Sequence, residues 1–144
     1  MKQILLFIIT LLATVSPLRA QDGLATNQAF QGGIVPREEL VEVKVRGQPI
    51  RKYDLTLYHS IQFQADGVQQ KKVEALVETD QKTAIGSEVT FRNTRKTTIL
   101  QLPARANINR FLCYICEPDK VTLVYMEGHV KNIKQLKKAI NDNH

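Results

Sequence analysis

Hydrophobic and polar residues alternate along several stretches of the chain, and this two-residue period indicates half-buried β-strands. In the first stretch, ELVEVKVRG, the valines at 41, 43 and 45 alternate with charged residues. In the second, YDLTLYHSIQF, one face should carry Tyr53, Leu55, Leu57, His59, Ile61 and Phe63. Four further strand-like runs follow with short breaks, namely EVTFR, TTILQLP, FLCYIC and VTLVYM. Breaks this short predict antiparallel hairpins.

Two other segments have the three-to-four-residue period of amphipathic helices. Asp66 stands three residues before Gln69, which is the spacing of a capping box, so the first helix should begin there and run to about Ala84. The second helix is IKQLKKAINDNH, which Asn132 is placed to cap. The element order is therefore β-β-α-β-β-β-β-α. It predicts an α+β domain with two helices packed on one face of a mainly antiparallel sheet.

The N-terminal 37 residues differ in character from the rest of the chain. Residues 1–20, MKQILLFIITLLATVSPLRA, have the order of a secretory signal peptide, with an early lysine, an apolar run and a small residue at Ala20. The apolar run is shorter than the roughly 20 residues of a membrane-spanning helix, so we expect no membrane span in the mature protein. Residues 21–37 lack periodicity, which predicts a flexible N-terminal arm. Residues 38–144 should form a single α+β domain of an exported protein, either periplasmic or secreted.

Basic residues outnumber acidic ones, since 20 Lys and Arg against 14 Asp and Glu give a net charge of +6. The positive charges form short clusters separated by acids, and the aromatic residues lie mostly in the apolar runs. A nucleic-acid interface needs its cations gathered on one face together with stacking aromatics. We therefore expect a solvated basic surface and no nucleic-acid partner.

The segment FLCYICEPDK places Cys113 and Cys116 three residues apart. On a strand these side chains face opposite sides, and their Cα atoms lie roughly 10 Å apart, beyond the ~7 Å limit for a disulfide. We interpret both as small apolar core residues, with no metal and no cofactor. The alternative is a redox or metal-dependent enzyme that uses this CxxC, with further zinc ligands drawn from His59, His129 and His144.

Polar residues that connect the last strands are the candidates for ligand binding. The segment PARANINRF carries Arg105, Asn107, Asn109 and Arg110, side chains that can recognise anions, carboxylates or sugars. Glu127 and His129 in MEGHV add an acid and a base at a predicted strand-to-helix turn. The chain has no GxSxG, phosphate-binding glycine loop or EF-hand, so no residue is assigned a catalytic role.

His59 lies in the middle of an apolar strand face. We interpret it as a core histidine that bonds to a carbonyl or to a carboxylate such as Asp80.

Several segments together resemble a family of small exported bacterial proteins of unknown function. They are the leader, KYDLTLYHSIQF, the long helix with its ETD, INRFLCYIC, and VTLVYMEG with the closing IKQLKKAI. The resemblance implies export and a one-domain fold and carries no catalytic residue. The sequence therefore favours a non-enzymatic exported protein, a binding or accessory module of the bacterial cell envelope or secretome. Its partner would be an unknown protein or envelope ligand.

Overall fold

A computed structural model of the protein describes residues 21–142, and a six-stranded antiparallel sheet forms its centre. The strands are β1 (Val41–Arg46), β2 (Leu55–Gln64), β3 (Gly86–Arg92), β4 (Arg95–Arg105), β5 (Ile108–Glu117) and β6 (Lys120–Gly128). Across the sheet they lie in the order β1-β2-β6-β5-β4-β3. The predicted α+β class and antiparallel sheet are confirmed, whereas the predicted leader, residues 1–20, lies outside the described residues.

The helices are α1 (Asn27–Phe30), α2 (Gly67–Gln81) and α3 (Ile133–Asp142), with short 3₁₀ helices at Arg37–Glu39 and Gln48–Tyr53. The predicted capping box at the start of α2 is present. The Asp66 carboxylate accepts a hydrogen bond of 2.8 Å from the Gln69 backbone, and the Gln69 side chain accepts one of 3.0 Å from the Asp66 backbone. Within residues 21–142, no helix is both long enough and apolar enough to cross a membrane.

The two long helices lie on opposite faces of the sheet. On one side, called face A, Val73 and Val77 of α2 join a core that includes Leu123. On the other side, called face B, Leu136 of α3 joins a core that includes Met126. This differs from the predicted placement of both helices on one face. The reason is that β5 and β6 carry apolar residues on both sides, so each side requires a cover.

Residues 21–37, called the docked segment below, form a further cover on face A. Ala29 and Phe30 are each 1% exposed, and Val35 is 4% exposed. The Phe30 ring also contacts the imidazole of His59, with the ring centroids 4.9 Å apart. The expectation of a flexible arm is not met here, because the few apolar side chains of this segment are part of the core.

Two irregularities at one end of the sheet shape face B. A bulge between Leu55 and Leu57 turns Leu57 toward face A and Leu55 toward face B, although alternation alone predicted one shared face. At the end of β6, a side chain on Gly128 would collide with the Asp54 carbonyl. The backbone N–H of His129 donates to that same oxygen at 3.0 Å, which ties the end of β6 to the 3₁₀ helix Gln48–Tyr53.

Candidate binding site

The polar residues singled out near the start of β5 and the end of β6 are largely engaged in the fold. Arg110 is 7% exposed, and its guanidinium donates from Nε to the Tyr125 hydroxyl at 2.9 Å and from Nη1 to the Pro103 carbonyl at 3.3 Å. Tyr125 in turn donates to the Glu127 carboxylate at 2.6 Å. Burial and this carboxylate raise the pKa of Tyr125, so the hydroxyl remains a donor. Arg110 and Glu127 are therefore brought together. They are cross-strand neighbours, and hydrogen bonds through the Tyr125 hydroxyl connect them.

The remaining candidates lie at the same end of the sheet, but their side chains have separate partners. The Asn109 amide donates to the Val130 carbonyl at 2.8 Å, and Arg105 donates to the Asp22 carbonyl of the docked segment at 3.0 Å. Asn107 is exposed in the β4–β5 turn, where its positive φ of 64° is one that asparagine tolerates. The exposed His129 follows β6 at the same end of the sheet, directly after Gly128, which pairs with Asn109. Arg105 and Asn109 donate to backbone carbonyls of the fold, and a binding role for these side chains stays a prediction.

The two cysteines lie on opposite faces, as strand alternation predicted. Cys113 contacts the core of face B and Cys116 that of face A, and both thiols are free. They are therefore unable to bond to each other or to share one metal ion. Burial raises the pKa of Cys113 to about 11, so its thiol is protonated at neutral pH. Within residues 21–142, no group of three or more His, Cys, Asp and Glu side chains is placed to hold a metal.

His59 is a core histidine, but its partners differ from the predicted one. Its Nε2 lies 2.7 Å from a Glu42 carboxylate oxygen, and its Nδ1 bonds to the Gln21 side-chain amide. Asp80, the partner suggested by the sequence, instead anchors the docked segment. Its carboxylate accepts hydrogen bonds from the backbone of Ala25 at 2.7 Å, from the backbone of Thr26 at 3.0 Å and from the Thr26 hydroxyl at 2.7 Å.

Face B, by contrast, is only partly covered and contains an apolar cleft of about 450 Å³. The 3₁₀ helix Gln48–Tyr53 and α3 form its walls, while β1, β2, β5 and β6 form its floor. The wall residues are Ile50, Tyr53 and Ile140, and the floor includes Leu55, Val124 and Met126. A cleft of this volume and lining is within the range of small-molecule sites.

The polar groups of the cleft are few and lie at defined places. Tyr53 and Tyr58 contribute hydroxyls, and Cys113 contributes its protonated thiol. Lys52 holds its ammonium 5.1 Å from the centroid of the Tyr53 ring, and Arg51 is exposed beside it. The 3₁₀ helix that forms this wall therefore also carries two cationic side chains next to Tyr53, although neither of them lines the cleft.

Sequence reasoning did not find this cleft, because its lining comes from six separate elements that only the tertiary fold brings together. One signal was present in FLCYIC and VTLVYM, which are apolar at consecutive positions rather than alternate ones. Strands of that kind are buried on both sides. Two short amphipathic helices are too little to cover both sides of six strands, so part of one face should remain open.

Comparison with known proteins adds a family but no activity. A family model described as a family of unknown function (DUF6108) matches residues 13–140. No curated protein and no solved structure matches the chain.

Proposed function

We propose that this chain, which belongs to the DUF6108 family of unknown function, is a non-enzymatic binding protein for an anionic single-chain amphiphile of the fatty-acid class. The acyl chain would lie in the cleft of face B, with its carboxylate at the 3₁₀ helix Gln48–Tyr53. The observation that carries this proposal is an open cleft of about 450 Å³ with an apolar lining, one wall of which also carries the Lys52 ammonium beside Tyr53.

The lining of the cleft favours an apolar ligand. Each Å² of apolar surface left in water costs about 25 cal/mol relative to burial. A ligand that covers the open apolar cleft therefore lowers the free energy of the protein. Contiguous apolar surface on a folded protein commonly marks a binding site. Two tyrosine hydroxyls and one thiol offer too few hydrogen bonds to hold a strongly polar ligand such as a sugar.

The charge at the cleft edge favours a ligand with an anionic end. The Lys52 ammonium lies beside Tyr53, a wall residue, so a carboxylate at this edge would meet a cation while the acyl chain stays on the floor. Exposed cation–carboxylate pairs contribute about 1 kcal/mol or less. The acyl chain would therefore supply most of the affinity, and the ammonium would set the orientation.

The same lining supports binding rather than catalysis. Cys113 is the nucleophile of the cleft, and burial raises its pKa to about 11, so thiolate is scarce at neutral pH. The lining residues include no histidine and no carboxylate that would act as a base.

We also propose that the protein is exported by a bacterium, as the leader in residues 1–20 indicates. Cleavage after Ala20 would make Gln21 the first residue, and Gln21 is 3% exposed and bonded to His59. Intact mass spectrometry of the protein recovered from its cells should therefore show a chain that lacks residues 1–20. A chain that retains the leader would contradict export by this route.

Calorimetry with saturated fatty acids of increasing length, each below its micelle concentration, tests the binding proposal. Every buried methylene contributes about 0.8 kcal/mol, so Kd should fall about fourfold per added methylene until the cleft is full. Lys52→Gln should weaken the fatty acid but leave the alcohol of equal length unchanged. An absence of binding, or an affinity independent of chain length, would overturn the proposal.

A matched pair of variants locates the ligand. Ile140 lines the cleft and is half-buried, so Ile140→Asn should weaken dodecanoic acid by at least tenfold. Ile85 is 66% exposed and does not line the cleft, so Ile85→Asn should leave the affinity unchanged. Equal effects of the two substitutions would place the ligand elsewhere.

A further inference from the structure

The outer strand β1 has an apolar side that the described chain does not cover. Val41 is 62% exposed and Val43 is 45% exposed, and both face the same way as Val45, which lines the cleft. In the described sheet β1 is an end strand and pairs with β2, so one row of its backbone groups faces outward. A strand of this kind is a template for pairing with another strand.

We infer that β1 pairs with β1 of a second copy of this chain, antiparallel and around a twofold axis at Val43. The pairing would join two six-stranded sheets edge to edge. It does not require the proposed ligand, since the backbone bonds form at the outer edge of β1, although Val45 also lines the cleft.

The sequence of β1 selects this register over its neighbours. With Val43 opposite Val43 of the second copy, Val41 lies opposite Val45, and Glu42 lies opposite Lys44 on the other side of the sheet. Opposite charges that face each other across strands stabilise a pair, and like charges destabilise it. An axis at Lys44 would put Lys44 opposite Lys44, with Glu42 opposite Arg46, and an axis at Glu42 would put Glu42 opposite Glu42. An axis between two residues would put valines opposite charged residues, so the valine stripe would not be buried.

The charges on the second side are placed for this contact. Glu42 directs one carboxylate oxygen to His59 at 2.7 Å and remains 41% exposed, so its other oxygen is available to an ammonium. Lys44 is exposed on the same side of the same strand. Two Glu42–Lys44 pairs per dimer would therefore flank the axis on face A, while six valines pack on face B.

The opposite edge of the sheet is less suited to self-pairing. In β3 the most exposed apolar residue is Phe91, at 72%, and the Lys96 ammonium lies 5.9 Å from its ring centroid. Antiparallel self-pairing around Val89 would put Glu88 opposite Thr90, and pairing around Thr90 would put Glu88 opposite Arg92, but the Glu88 carboxylate is already bonded to the Lys137 ammonium at 2.9 Å. The engagement of Glu88 with Lys137 and of Phe91 with Lys96 therefore favours β1 for the contact.

The pairing also determines what the dimer would look like on face B. Val45 of each copy belongs to its own cleft, Val43 lies at the axis, and Val41 lies opposite Val45 of the other copy. The two clefts would thus become the ends of one continuous apolar surface across the interface. Isologous contacts of this type close on themselves and give a dimer rather than a fibre.

Light scattering of the purified, ligand-free protein is the first test. At roughly 100 µM, a concentration that populates an interface of modest size, the mass should be twice that of the chain. A monomer under these conditions would overturn the inference. This measurement uses no fatty acid, so its failure and the failure of the binding proposal are distinguishable.

Cysteine cross-linking tests the register in a Cys113→Ala/Cys116→Ala background. Facing Cα atoms of an antiparallel pair are ~4.5–5.5 Å apart, within disulfide range, so Val43→Cys should cross-link to itself on oxidation. Val41→Cys should not, because its two copies would be separated by roughly 13 Å along the strands. A mixture of Val41→Cys and Val45→Cys proteins should cross-link. Disulfides through Phe91→Cys, or none through Val43→Cys, would overturn the assignment to β1.

A charge reversal tests the contact without altering the native cysteines. Lys44→Glu places like charges opposite each other at Glu42, so we expect dimerisation at least tenfold weaker. The double variant Glu42→Lys/Lys44→Glu exchanges the two charges and should recover most of that loss. A dimer indifferent to Lys44→Glu would contradict the proposed pairing, and circular dichroism verifies that both variants are folded.

Discussion

Face A and face B are built by the same strands, yet their covers differ in kind. Face A carries α2 and the docked segment, and its core includes Phe30, which is 1% exposed. Directional bonds hold that cover, above all the three hydrogen bonds that the Asp80 carboxylate accepts from Ala25 and Thr26. Face B carries α3 and a 3₁₀ helix, which leave the cleft open.

The difference shows that an apolar strand face can have one of two fates. It can be covered by the chain itself, or it can remain accessible to a partner. Leu112 and Cys113 are neighbours on β5 and point to opposite sides, one toward a core that the chain completes itself and one toward a cleft that remains accessible. The pattern of apolar residues indicates that both sides are to be covered. It does not indicate whether the cover is the chain itself, a ligand or a second copy.

The largest expected effect comes from removing the anchor of face A. Asp80→Ala leaves three donors of the docked segment without their acceptor, so the free energy of unfolding should fall by about 3 kcal/mol in urea denaturation. Limited proteolysis should then cut within residues 21–37 first. Glu78→Ala is the matched control, because Glu78 is exposed on the same helix, and it should change stability by about 0.5 kcal/mol or less. Equal losses from both variants would show that Asp80 is no anchor.

The next effect distinguishes the faces through their native thiols. At pH 8 the thiolate fraction of Cys113 should be about a hundredfold below that of a thiol with the ordinary pKa of 9.0, because burial raises its pKa to about 11. Alkylation of Cys113, followed by mass spectrometry, should therefore be slow in the folded protein and accelerate as the pH rises toward 11. Dodecanoic acid should slow it further and leave Cys116, on face A, unaffected. Equal protection of both thiols would argue against a ligand in the cleft.

The smallest effect concerns the two cysteines as packing residues. Cys113→Ala and Cys116→Ala each remove one sulfur from a half-buried position, so each should cost on the order of 1 kcal/mol in urea unfolding. Because the side chains face opposite sides of the sheet, the two losses should add within about 0.5 kcal/mol. A disulfide would behave otherwise, since either single substitution would then cost about 2–5 kcal/mol and the second would add little.

Features that local chemistry determines were predictable from the sequence. The capping box of Asp66 and Gln69 depends on residues three apart, and the opposed directions of Cys113 and Cys116 depend only on strand alternation. Both predictions are confirmed. The antiparallel order of the last four strands followed in the same way from the length of their connections.

Features that depend on distant partners were not predictable. Phe30 is a lone aromatic in a segment without periodicity, and its packing against His59 requires the completed sheet. The bulge before Leu57 moves Leu55 to face B, a change that alternation does not reveal. The cleft residues were missed for the same reason, because residues such as Ile50 and Ile140 become neighbours only after α3 crosses face B.

The docked segment also has a consequence for the order in which the molecule folds. It is synthesised before every element it contacts. Thr26 bonds to Asp80, which is 54 residues later in the chain, and Asp22 bonds to Arg105, which is 83 residues later. Contacts of such long sequence separation slow folding, because the entropy of closing the loop is lost before the contact forms. We therefore expect face A to be completed last and the nascent chain to stay open for longer than its size suggests. That delay would suit a polypeptide that has to cross a membrane before it folds.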